Sequence, residues 1–329
     1  MTVTNVSSQR SAAPAGGPFP GLAASTLITT GLLILVGGVV RVSGHGLGCP
    51  DWPLCYGRAI PPGLTGAWVE FTHRLVSTAA GAQIVLLGVL AWRRHRGEKW
   101  IWRPALAAVA LLAAQIPLGG LHVIMENPPE TGLAHTALAM LILGCLAVVA
   151  AAVLPVGDRL QKAAARELAR GRLAGWISLL AGLSYLLLLT GSLVTRSGAS
   201  LACPGFPWCG AASAALGRLV DIQMLHRLTA LAVAGLALAV IVQVWRRGRA
   251  TPLNRFAQLL LGLLLCQLAL GAANVLLRLP LWTRVLHLTV GAAWWAAVAM
   301  LWTVVSRGRS RSRAETEPAP IDESSAGRR

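Results

Sequence analysis

The chain is 329 residues long, 55% hydrophobic and only 12% charged, too apolar for a soluble domain that must keep a polar surface. Its formal net charge of +17 would suggest nucleic acid in a soluble protein, but the basic residues sit in short segments between apolar runs, which excludes that class. The composition is that of an integral membrane protein embedded in a lipid bilayer, with no nucleic-acid partner.

Residues 1–20, MTVTNVSSQRSAAPAGGPFP, are small and polar with little to bury and are expected as a disordered tail. Apolar runs of about 20 residues, enough to cross about 30 Å of hydrocarbon as helix, then follow eight times. They run from Gly21 to Val40, Glu70 to Trp92, Pro104 to Met125, Gly132 to Pro155, Leu173 to Val194, Leu219 to Trp245, Leu253 to Leu276 and Val285 to Ser306. The first is read as a retained span rather than a cleaved signal, since no small-residue cleavage site ends it and an equivalent span recurs later. The connections after the second, fourth and sixth spans and the segment after Ser306 carry most of the 29 Lys and Arg. The positive-inside rule therefore places them, and both termini, in the cytoplasm. The long connections after the first and fifth spans then face outside.

These outer connections contain CPDWPLC, Cys49 to Cys55, and CPGFPWC, Cys203 to Cys209, 154 residues apart. The duplication extends further. His73-Arg74-Leu75 recurs at an offset of 153 as His226-Arg227-Leu228, and Gln115, Gly119 and His135 recur at an offset of 152 as Gln267, Gly271 and His287. The expected fold is all-α: eight transmembrane helices in two repeated four-helix bundles related by a pseudo-twofold along the membrane normal. The expected division is a tail at 1–20, a first bundle at 21–155, a cytoplasmic linker at 156–171, a second bundle at 172–306 and a disordered tail at 307–329.

Of the seven histidines, His45 and His95 fall in loops and are expected to be solvated. His73, His135, His226 and His287 lie near the outer ends of the second, fourth, sixth and eighth spans. Ionisable side chains in apolar spans are costly and face the bundle interior, where they have a function. Two imidazoles projecting inward from alternate helices can grip a flat macrocycle through its iron, which makes haem the expected ligand. Zinc would need about four ligands, and neither half offers intramembrane carboxylates or thiolates to complete such a set. Arg74 and Arg227, next to two of the candidate ligands, are positioned either to pair with haem propionates or to snorkel to the interface. The cysteine loops, placed outside, are expected to close as Cys49 to Cys55 and Cys203 to Cys209. A structural clamp and a redox exchange both suit them. Cys145 and Cys266, inside spans, read as apolar core residues.

These residues together resemble the haem A synthases, the Cox15/CtaA family. The resemblance runs from about Thr26 to Trp302 and rests on the eight spans in two halves, EFTHR at Glu70 to Arg74, the paired cysteines and the four histidines. It implies an oxidoreductase of the bacterial cytoplasmic membrane that converts the C8 methyl of haem O to a formyl group, making haem A for terminal oxidases. On that resemblance His73 and His135 hold the haem O substrate, while His226 and His287 hold a haem b cofactor. A haem O synthase and an electron acceptor of unspecified kind are the implied partners, and self-association is left open.

One asymmetry points the same way from the residues alone. The second half has Gln223 where the first has Glu70, which lies three residues before His73 and on the same helical face. Glu70 is accordingly the candidate catalytic group, the other account being an acidic residue favoured at a helix start. His122, paired with Asn274 at the same offset, is expected to line the first site. The competing class is a dihaem cytochrome b that passes electrons without altering either ring. That class gives no reason for the one-sided Glu70 or for the cysteine loops.

Overall fold

A computed structural model describes residues 17–167, 173–210, 217–247 and 252–316. Its helices are α1 (Pro18–Val42), α2 (Thr65–Arg94), α3 (Lys99–Ile124), α4 (Pro129–Val153), α5 (Pro155–Glu167), α6 (Leu173–Arg196), α7 (Gly217–Arg247), α8 (Pro252–Leu276) and α9 (Leu281–Thr316). Among the described residues there is no β-strand. All but α5 are long and apolar enough to cross a membrane, where a helix satisfies its own backbone polar groups.

Proline marks several starts. Pro18 and Pro129 occupy the first turns of α1 and α4, where no N–H partner is lost. The ends of α3 and α8 share one device: Glu126 and Asn127 adopt φ 60° and 61°, and Arg278 and Leu279 adopt 57° and 63°. These two left-handed residues stop each helix and turn the chain back into the next.

Within the first half α1 packs on α2, α2 on α3, α3 on α4 and α4 back on α1; α6, α7, α8 and α9 close in the same way. Ile84, Leu87, Ala105, Ile142 and Leu146 belong to the core of the first set, and Ile177, Leu180, Val233, Ile241 and Leu301 to that of the second. The halves meet along a seam where α9 lies against α1 and α4, and α4 against α6. A separate apolar cluster of Ile34, Met140, Leu143 and Ala292 fills it. Hydrocarbon lipid offers no hydrophobic drive for helix association, so close packing and hydrogen bonds hold such a seam. Trp295 Nε1 donates to Met140 O at 2.7 Å, Tyr185 Oη to Ala137 O at 3.2 Å and an Arg307 Nη1 to Ala152 O at 2.9 Å. Gly144 leaves the space in which the Trp295 indole lies.

The helices are longer than the apolar runs that announce them. Thr65 begins α2, so Glu70 lies in its second turn rather than at its start. At the other end of the chain α9 continues past Ser306 to Thr316. The segment expected as a linker contains α5, whose Gly157, Leu160 and Gln161 are buried while Asp158 and Lys162 pair at 3.0 Å on the exposed side. One apolar stripe on an otherwise charged helix suffices to dock it on α4, α8 and α9. The rest of the expected linker, 168–171, the first residue of the expected second bundle, 172, and the rest of the tails, 1–16 and 317–329, lie outside the described residues.

Candidate functional site

The site begins with the two cysteine loops. Cys49 is disulfide-bonded to Cys55 and Cys203 to Cys209, and Cys49, Cys55 and Cys203 are all but fully buried. A loop rich in proline leaves backbone carbonyls without ladder partners, and these must be satisfied elsewhere. Arg74 supplies the donors: its guanidinium reaches Leu54 O at 2.6 Å, Asp51 O at 2.9 Å, Pro53 O at 3.2 Å and Cys49 O at 3.3 Å. Arg227 does the same in the second half, donating to Gly205 O at 2.8 Å, Pro207 O at 3.0 Å and Cys203 O at 3.1 Å. Both side chains, candidates for pairing with propionates or for snorkelling, donate to loop carbonyls.

Glu70 belongs to the same fastening. One carboxylate oxygen accepts the Cys49 amide at 2.8 Å and the other accepts Arg74 Nη2 at 2.6 Å. Gln223 repeats half of this, accepting the Cys203 amide at 2.5 Å and donating to Ser200 O at 3.0 Å. The helix-start explanation of Glu70 falls with its position in the second turn. Asp51 tightens the first loop further by accepting the amides of Tyr56 at 2.6 Å and Gly57 at 2.7 Å. Those N–H donors, Gly57 first, hold its carboxyl below the usual carboxylate range. Trp52 at the loop tip lies over Gly120 of α3, where a Cβ would collide with the indole.

Beneath the loops, each of the four span histidines stands against a glycine of the preceding helix. A Cβ on Gly37 would lie 3.0 Å from His73 Nε2, one on Gly119 3.1 Å from His135 Cε1, one on Gly191 2.9 Å from His226 Cε1 and one on Gly271 3.3 Å from His287 Cε1. His73 on α2 and His135 on α4 belong to the first closed set of helices, and His226 on α7 and His287 on α9 to the second. The Nδ1 atoms of His135 and His287 are buried without a partner, and so are the Oε1 atoms of Gln115 and Gln267 beside them. Unpartnered buried polar atoms are rare, and here they recur at matched positions in both halves. Paired imidazoles over glycine suit a haem iron between each pair, and in the second half Gln267 Nε2 lies 3.4 Å from His287 Nε2. Among the described residues no group of three or more His, Cys, Asp or Glu could hold a bare metal ion.

The halves differ around this common plan. His226 Nδ1 lies 3.1 Å from Thr190 Oγ1, and the threonine hydroxyl itself donates to Leu187 O at 3.0 Å. The oxygen can then only accept, so Nδ1 carries the proton and Nε2 is free to ligate. Val36 occupies the equivalent position in the first half, and the His73 ring makes no hydrogen bond among the described residues. His122 stacks beside His135 with ring centroids 6.3 Å apart. It meets Thr131 Oγ1 at 2.7 Å through Nδ1 and Arg196 at 3.4 Å through Nε2. His45 and His95, expected to be solvated, are partly buried: His45 Nδ1 lies 2.8 Å from Ser43 Oγ and His95 packs on Phe19 at 4.4 Å.

Sequence reasoning missed Gly37 and Gly191, Thr190, and the arginines Arg41, Arg196 and Arg284 at the seam. The offset of 154 that relates the cysteine loops also relates the two glycines, so the signal for them was present.

The fold and site define a multi-pass helical membrane protein with a half-buried histidine pair in each of two four-helix sets, beneath disulfide-closed loops. The chain belongs to the cytochrome oxidase assembly protein family COX15-CtaA, whose model matches residues 21–68 and 64–299. It is similar to the heme A synthase of Geobacillus kaustophilus strain HTA426, 29% identical over 266 residues that cover 78% of this chain and 82% of the relative. The heme A synthase of Bacillus cereus strain AH187 is 29% identical over 226 residues, 67% of this chain and 72% of its own. That of Bacillus cereus strain 03BB102 is 31% identical over 205 residues, 61% and 65% of the two chains.

Proposed function

We propose that this protein is a haem A synthase, an oxidoreductase of the bacterial cytoplasmic membrane that oxidises the C8 methyl of haem O to the formyl of haem A. The observation that carries the reading is the histidine pair over glycine in both halves, with an orienting hydroxyl in only one. His226 and His287 hold haem b, and Thr190 keeps the His226 tautomer ready to ligate. His73 and His135 hold haem O, and Val36 leaves His73 without that restraint, which suits a ring that must be exchanged after each turnover. When bound, haem b supplies a one-electron relay beside the substrate half.

The rest of the chemistry falls to this chain's own residues. The loop fastened by Glu70, Arg74 and the Cys49–Cys55 bridge covers the first pair and limits water access. Glu70 spends one lone pair of each oxygen on Cys49 and Arg74, leaving one on each to orient water or accept a proton. The cysteine loops and both histidine pairs face the outer side, with the termini in the cytoplasm.

The test is to extract the non-covalent haem from purified protein and identify it chromatographically. Haem b together with haem O or haem A is the expected result. Haem b alone, at two per chain, would assign the protein to the dihaem electron carriers instead.

A further inference from the structure

At the loop-bearing end of the seam, Arg41 at the end of α1 bonds Thr195, the neighbour of Arg196 at the end of α6, and faces the charges of Arg196 and of Arg284 in the first turn of α9, which packs on both helices. All three are partly buried, and none forms an ion pair among the described residues. Arg41 Nη1 donates to Thr195 Oγ1 at 2.9 Å and Arg196 Nη1 to His122 Nε2 at 3.4 Å, both neutral acceptors. Arg196 Nε is buried with no partner at all. Cations whose only partners are neutral are costly in a poorly polarisable setting unless an anion joins them.

The repeat shows that this gathering is built in. Arg284 corresponds at an offset of 152 to Gly132, and the Arg196 guanidinium lies where a side chain on Gly132 would be. The first half has given up a side chain so that an arginine of the second half can enter. Arg41 corresponds at an offset of 154 to Thr195, the residue it bonds across the seam. The cluster also borders the first histidine pair. Arg41 lies one helical turn beyond Gly37, which faces His73, and Arg196 bonds the His122 that stacks on His135.

We propose that Arg41, Arg196 and Arg284 form an anion site at the seam that takes the propionate carboxylates of the ring held by His73 and His135. The second half thereby completes the substrate site of the first. Arg74 and Arg227, the neighbours of the ligands in sequence, are already engaged by loop carbonyls, whereas the seam arginines have donors to spare. Guanidinium matches carboxylate in a two-point fork. It would also match the phosphate of an anionic lipid, and the test separates the two sources. The inference rests on the reading that this chain binds haem through the first histidine pair.

Purified protein in phosphatidylcholine nanodiscs is titrated, by absorbance, with iron protoporphyrin as the free acid and as its dimethyl ester. Binding to the first site is the part lost in His73→Ala/His135→Ala. At that site the ester is expected to bind the unaltered protein about ten- to a hundredfold more weakly than the acid, the range for one or two charge-assisted hydrogen bonds. Arg41→Gln/Arg196→Gln should bring the acid to the level of the ester, while Arg58→Gln on the exposed loop surface changes neither. Equal affinity of acid and ester in the unaltered protein overturns the proposal without reference to any variant. It is equally overturned if the double variant loses co-purified phosphatidylglycerol while the acid-to-ester ratio stays intact, since the anion is then a lipid phosphate. If no binding depends on His73 and His135, the haem reading itself fails and this inference falls with it.

Discussion

Thr190 and Glu70 are the residues through which the two halves are expected to differ in measurable ways. Thr190→Val copies Val36, removes the acceptor for His226 Nδ1–H and leaves the ring in place. Groups that orient a ligating histidine contribute about 10- to 100-fold to affinity, so haem b should be lost faster on dilution or chelation by apomyoglobin, with the low-spin spectrum retained before dilution. Unchanged transfer kinetics would remove Thr190 from the account of why one ring stays. Glu70→Gln copies Gln223, which already holds its loop by the same amide hydrogen bond. The variant is therefore expected to fold and keep haem b while making little haem A and accumulating haem O or a hydroxylated intermediate. Normal haem A output would reduce Glu70 to a loop anchor. The histidines themselves were legible in the sequence because an ionisable residue in an apolar run is rare and because each recurs at a fixed offset. Their glycine partners were not singled out, since glycine is common in this chain, with 35 copies, and only the neighbouring helix tells which of them matter.

At the scale of elements, the two cysteine loops are fastened alike but not with equal charge. Arg74 sits between neutral carbonyls and the buried Glu70 carboxylate, whereas Arg227 meets carbonyls and the Phe206 ring and Gln223 is neutral. Arg74→Met should consequently cost about 3–5 kcal/mol, because it leaves a buried charge unpaired, and Arg227→Met less. Adding Glu70→Gln to Arg74→Met should recover part of the loss, a coupling that thermal unfolding of the four proteins of the cycle would read. Strictly additive effects would mean that the carboxylate and guanidinium do not act as a pair. Mass spectrometry after alkylation without reduction should find Cys49 linked to Cys55 and Cys203 to Cys209, and a Cys49 to Cys203 link would contradict the structure. The loops were readable from their spacing and prolines. α5 was not, because its apolar stripe is only a few residues wide within a strongly charged stretch, too little to outweigh composition.

For the whole molecule, the duplication was visible in the chain but the seam was not, since residues such as Met140 and Trp295 meet from positions 155 apart with no motif in either. Trp295→Phe removes the donor to Met140 O yet keeps most of the packing. It is expected to cost about 1 kcal/mol, a modest fall in melting temperature that a larger loss from Trp295→Ala, by emptying the space over Gly144, should exceed. Equal effects of the two would deny the hydrogen bond a part. The seam also bears on how the protein is made. The α9 helix, whose faces lie against α1 and α4 as well as against α6 and α8, is the last of these spans to leave the ribosome. Until it enters the bilayer, the inner faces of the earliest spans have only lipid, or the insertion machinery, to rest against. The first histidine pair is thus translated early but enclosed late, and a nascent chain halted before Leu281 should be a target for membrane quality control rather than a half-enzyme.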